Sequence, residues 1–322
     1  MFQSSDPTIA GAGPDPRIAL VTHDARMSDG AVIRLRRHGN PDGPRVVLSH
    51  GNGLAIDGYA AWWSLLAPDH DLVLFDLRNH GANPLHDPHA YTWQRLTDDV
   101  GEIRSAIDQA FGDKPAVGAF HSLSAICSVA HLVEHGPVYQ GLLLFDPPVY
   151  PPHGHALESI ELADMHKLAA GARRRTERYD SPLELAAQFA RRKAFERWVP
   201  GAARDMASAT LRADPVAGGY TLCCPRELEA IMYERNDDQR IWAALTRPQA
   251  IPIRILGGDP FLDGQAPPPV LCHAMSQLFP GLSYDWLPDT THFLQIEEPE
   301  RCRDETAVFV ASALRSPDAR AG

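Results

Sequence analysis

No run of about 18 or more apolar residues occurs in the sequence, so no transmembrane helix is expected. The start, Met1 to Leu20, has no basic stretch followed by an apolar core, so no secretory signal is expected either. Basic side chains are the minority: 30 Lys and Arg stand against 41 Asp and Glu, a formal net charge of −11. That sign argues against a nucleic-acid binder, which needs clustered positive charge for phosphates. Cysteine is scarce and unpatterned. Cys127, Cys223, Cys224, Cys272 and Cys302 make an odd set with no CxxC or Cys/His zinc spacing. Reduced, buried thiols are expected, rather than a disulfide framework or a metal site. What is present is an ordinary globular composition: 322 residues, 44% hydrophobic and 22% charged. Such a chain can bury a substantial core in one large domain or two medium ones.

After a Pro/Gly-rich arm over residues 1–16, expected to be flexible, short apolar runs alternate with longer amphipathic stretches. Residues 17–22 and 32–37 read as a hairpin turned at Asp29-Gly30. Further strands are expected at 45–49, 72–75, 116–120, 142–145, 253–256 and 283–287. Helices are expected near 59–66, 95–111, 122–134, 270–279 and 299–314; the second repeats Leu96, Val100, Ile103, Ile107 and Phe111 at helical spacing. Continuous Val/Ile/Leu strands alternating with helices predict an α/β fold, a mostly parallel central sheet with helices on both faces. Between residues 147 and 250 the alternation stops. Helical stretches at 157–170, 183–198 and 227–245 predict an insertion over one end of the sheet, leaving 17–146 and 251–315 as the core. The arginines of this insertion (Arg173, Arg174, Arg175, Arg178, Arg191, Arg192, Arg197) read as a solvated face laced with Glu177 and Glu196.

The chemistry concentrates at Gly118-Ala119-Phe120-His121-Ser122-Leu123-Ser124, where a strand runs through a serine into a helix. A sharp strand–turn–helix elbow projects such a hydroxyl from the sheet and aims the next amide where an oxyanion would form. Serine is a weak nucleophile and needs a base, itself oriented by a third group. Ile253–Leu256 followed by Gly257-Gly258-Asp259 supplies a strand ending in a carboxylate, and Thr291-His292-Phe293 a loop histidine before the last helix.

These residues, with three further stretches, resemble the α/β-hydrolase superfamily with a helical cap inserted after the sixth strand. His50-Gly51 is similar to its oxyanion-loop motif, and Asp76 to Asn83 (DLRNHGAN) to its D-x-R-x-x-G-x-S segment, with Asn83 in place of serine. His121-Ser122-Leu123 matches the middle of the G-H-S-x-G elbow; His292-Phe293-Leu294 with Glu298-Pro299-Glu300 resembles the family's ending. The resemblance spans about residues 18–314 and departs at two places: Phe120 and Ser124 replace the elbow glycines.

It implies a capped serine hydrolase cleaving a carboxylic ester or related acyl bond, without cofactor or metal. Ser122 is then the nucleophile, His292 the base and Asp259 the orienting acid, with Asp263 and Asp146 as alternative acids. The backbone amides of Asn52 and Leu123 form the oxyanion hole, Gly53 being the alternative to Asn52. The same constellation serves carbon–carbon hydrolysis, lactone opening, acyl transfer or cofactor-free peroxidation, and a binding protein can retain the fold. The implied partner is a small, largely apolar acyl compound, and the expected location is the cytoplasm.

Overall fold

Strands β1 (Val21–Arg26) and β2 (Val32–Gly39) form the antiparallel opening hairpin of a computed structural model that describes residues 15–315. Most of the arm expected over residues 1–16 therefore lies outside the described residues. β3 (Arg45–Ser49) and β4 (Asp71–Phe75) follow, linked by a 3-10 turn (Ile56–Tyr59) and the short α1 (Ala60–Trp63). Then come α2 (Trp93–Phe111), β5 (Ala116–His121), α3 (Leu123–His135) and β6 (Gly141–Phe145).

The insertion comprises α4 (Glu158–Arg173), β7 (Arg178–Tyr179), α5 (Pro182–Ala190), α6 (Ala202–Thr210), β8 (Leu211–Ala213), β9 (Tyr220–Leu222), α7 (Arg226–Glu234) and α8 (Gln239–Leu245). The chain returns through β10 (Ile253–Gly257), α9 (Pro267–Leu278), β11 (Tyr284–Trp286), α10 (Leu294–Glu297) and α11 (Pro299–Ala313).

The main sheet runs β1-β2-β4-β3-β5-β6-β10-β11, antiparallel only at the β1–β2 and β2–β4 pairings. Strands such as RVVLS, DLVLF and GLLLF are buried along their whole length because both faces are covered, which is why they read as continuous apolar runs. Alternate residues feed two cores. Val47, Val73, Phe75 and Leu144 pack with Leu96, Ile103 and Ile126 of α2 and α3. Val46, Leu48, Leu72 and Phe145 pack with Trp62, Trp63 and Val310 of α1 and α11.

Several local expectations are corrected. The first strand starts at Val21, since residues 15–20 form a turn and bend before the ladder begins. The stretch 183–198 breaks after α5, and 227–245 divides where Asp238 caps α8 by accepting the Arg240 amide at 3.0 Å. Neither α6 nor the small β7-β9-β8 sheet of the insertion was expected; both are short and rich in small or polar residues, so they carry little periodic signal.

Candidate active site

Ser122 sits between β5 and α3 with φ 53° and ψ −116°, a conformation that a non-glycine residue adopts only when its surroundings enforce it. The surroundings are visible. Its amide donates to the carbonyl of Phe145 on β6 at 3.0 Å, and its carbonyl accepts the Ile126 amide at 3.1 Å. Gly51 lies directly against it: a Cβ there would stand 3.1 Å from Ser122 Cβ and 3.0 Å from His121 Nδ1.

The two departures from the elbow pattern now have physical accounts. Phe120 is buried, and its ring occupies the space over Gly118, where a side chain would overlap it. It packs edge-on to Phe75 and Tyr139, with ring centroids 6.2 and 5.5 Å apart. The small residue that the tight strand needs has moved two positions upstream. Ser124 braces the turn: its hydroxyl donates to the His121 carbonyl at 2.9 Å and accepts the His121 amide at 3.1 Å.

His292 comes from the loop after β11, and the carboxylate facing it is Asp146, at the end of β6. His292 Nδ1 lies 3.5 Å from Asp146 Oδ2, within ion-pair range, and makes no hydrogen bond among the described residues. Asp146 is fully buried at φ 41°, and Oδ2 also accepts the Gly258 amide at 3.0 Å. Burial pushes its carboxyl above the usual range, opposed by His292 and the Gly258 amide.

Asp259, the first expectation for the orienting acid, is turned elsewhere. Its oxygens accept the amides of Phe261 and Asp289 at 2.9 and 3.0 Å, so it ties the β10 loop to the histidine loop. Asp263 is exposed, with no hydrogen bond or ion pair to it among the described residues. Of the three carboxylates considered, the structure brings Asp146 alone to His292. The sequence signal was ambiguous because β6 is followed by Asp146-Pro147 and β10, one glycine later, by Asp259-Pro260. Glu297, not singled out from sequence, holds the histidine loop by accepting the Thr291 amide and hydroxyl.

In the loop after β3, Gly53 does not have a free amide to offer: it is given to His80 Nε2 at 3.1 Å. The Asn52 amide has no acceptor among the described residues, and the Asn52 side chain donates to the Glu229 carbonyl of α7 at 2.8 Å. Leu123, at the first turn of α3, is the residue following Ser122. Asp76 accepts the Ile56 and Ala82 amides, fixing the neighbouring loop. Among the described residues, metal-type donors converge at Asp98, Glu134 and His135, at the far end of α3 from Ser122, where Glu134 is already paired with Arg240.

A sequence model described as the alpha/beta hydrolase family matches residues 46–305. The chain belongs to this family. Solved structures agree in fold. E-2-(acetamidomethylene)succinate hydrolase superposes with a TM-score of 0.74 at 18% identity, covering 90% of this chain and 99% of that one. An esterase from Rhodococcus sp. ECU1013 gives 0.66 at 20% identity, with 91% and 99% covered. The thioesterase domain from the curacin biosynthetic pathway gives 0.65 at 16%, with 92% and 100% covered. No curated protein matches by sequence. This α/β hydrolase has, among its described residues, no helix long and apolar enough to cross a membrane.

Proposed function

We propose that this α/β hydrolase is a serine hydrolase that cleaves a carboxylic ester or a related acyl bond, with Ser122, His292 and Asp146 as its triad. The observation that carries the reading is Ser122 held at φ 53° on the strand–helix turn, with His292 and the buried Asp146 on adjoining loops. Ser122 Oγ attacks the acyl carbonyl while His292 takes its proton, and the carbonyl electrons move onto oxygen. The amides of Leu123 and Asn52 donate to that oxyanion, each worth about 3 kcal/mol in such sites. Collapse expels the alcohol, which receives the proton from His292, and leaves an acyl-serine. Water, deprotonated by His292, then releases the carboxylic acid and regenerates Ser122. Asp146 holds the imidazole with Nδ1–H towards it and stabilises the imidazolium.

The names of the structural neighbours, a hydrolase, an esterase and a thioesterase, support acyl-bond cleavage as the reaction class. An apolar acyl group is supported by Phe293, next to His292, which packs against Phe195 and Trp198 of the insertion at 5.3 and 5.4 Å between ring centroids. The test is to incubate the pure protein with a fluorophosphonate and p-nitrophenyl acetate. A single adduct on Ser122 and ester turnover lost in Ser122→Ala are expected; full turnover by Ser122→Ala would overturn the mechanism.

A further inference from the structure

One buried chain of hydrogen bonds beneath the site joins three loops that the proposed chemistry needs in register. Tyr59 Oη lies 2.7 Å from His121 Nδ1 and 3.5 Å from the Gly51 amide nitrogen. At the other side of the same ring, His121 Nε2 lies 2.9 Å from the main-chain oxygen of His292. Tyr59 and His121 are both essentially inaccessible to water, so each polar atom must find its partner inside the protein.

The direction of each bond follows from what the partners can do. A carbonyl oxygen only accepts, so His121 Nε2 carries the hydrogen. In a neutral ring Nδ1 then accepts, and Tyr59 must donate to it, leaving the phenol oxygen free to accept the Gly51 amide. The ring is held neutral by burial and by the facing His292 and His50, which push its pKa well down. Tyr59, held protonated by burial, completes the set of titratable groups around it.

We propose that Tyr59 and His121 are positioning residues, a strut of fixed tautomer that holds the Gly51 loop, the Ser122 elbow and the His292 backbone in one geometry. The inference rests on the triad reading above. His121 is the residue before Ser122, so its ring is rigidly tied to the nucleophile, while its Nε2–H grips the backbone that carries the base. Loss of either end lets the base drift relative to the nucleophile, and a misplacement of about 1 Å can lower turnover by about 10²-fold.

The test uses the full chain. Long-range proton–nitrogen NMR spectra of histidine-labelled protein between about pH 5.5 and 8.5 report the tautomer of His121, assigned by its loss in His121→Gln. The strut requires the Nε2–H form without titration; an Nδ1–H form, or titration in that range, overturns it. In kinetics, Tyr59→Phe is expected to lower kcat about 10-fold with KM within about twofold, and to slow fluorophosphonate labelling of Ser122 by the same factor. His121→Gln can still present a donor where Nε2 stood and is expected to retain more activity than His121→Asn, whose amide reaches only the Nδ1 position. Equal losses in the two His121 variants, or wild-type labelling rates in Tyr59→Phe, overturn the strut alone. Folded wild-type protein that does not label at Ser122 sinks the triad reading, and with it any catalytic use of the strut.

Discussion

At the scale of single residues, the assignment of the orienting acid separates two aspartates with the same sequence context. Asp146 comes directly after β6 and Asp259 one residue after β10, and each precedes proline. Only the backbone decides between them: φ 41° at Asp146 turns its carboxylate towards His292, whereas Asp259 folds back onto loop amides. Asp146→Asn is therefore expected to lower kcat on an activated ester by about 10³–10⁴-fold while the protein stays folded, because the imidazole loses its oriented tautomer. Asp259→Asn should cost less than about tenfold. A larger loss in Asp259→Asn than in Asp146→Asn, measured by initial rates, would reverse the assignment. Glu161 on α4 makes a second prediction. It is buried, its Oε2 has no hydrogen-bond partner among the described residues, and burial with Asp164 nearby raises its pKa from 4.5 to about 8. The folded state thus binds the proton more tightly than the unfolded chain, and stability is lost as pH rises from about 4.5 through about 8. Glu161→Gln should match wild type at the acid end and exceed it by several kcal/mol above pH 8. Urea unfolding at the two extremes of pH checks this, and a pH-independent difference would refute it.

Elements were legible from sequence where burial on both faces or helical periodicity imposed a pattern. The span 45–49 is observed as expected, and α2, α3 and α11 fall within two residues of their expected ends. What was not legible is how neighbouring elements adjust to each other. From sequence alone Phe120 in place of an elbow glycine is an obstacle; in the structure its ring lies over Gly118, two residues back on the same face of β5. Ser124, the other replaced glycine, adds two hydrogen bonds across the turn. The elbow is thus a unit whose members compensate. Gly118→Ala should destabilise the protein by about 1–3 kcal/mol, the range for overpacking a filled site. Pairing it with Phe120→Leu should recover part of that loss, giving a double-mutant coupling above about 0.5 kcal/mol. Strict additivity in denaturant unfolding would mean that the two positions do not share the space.

Across the whole molecule, the insertion is stitched to both sides of the site. On one side, Val199 donates its amide to the Ile296 carbonyl at 3.1 Å, and Arg197 its guanidinium to the Asp289 carbonyl at 3.1 Å. On the other, Asn52 bonds the Glu229 carbonyl, and the Glu229 side chain lies over Gly53, paired with Arg175. The arginines expected as a solvated face thus divide. Arg173 pairs with Glu227 and Glu234 at the surface, whereas Arg175 is largely buried with Glu229. The two pairs should differ sharply in worth. An exposed pair contributes about 0–1 kcal/mol, but removing one member of a buried pair strands the other charge and costs about 3–5 kcal/mol. Arg173→Ala should therefore leave thermal stability and ester turnover nearly unchanged. Glu229→Ala should lower stability by the larger amount and also slow Ser122 labelling, because α7 would no longer hold the Asn52–Gly53 loop beside the elbow. If Glu229→Ala lost stability but labelled at the wild-type rate, the contact would serve folding alone, and the Asn52–Gly53 loop would be held without the insertion.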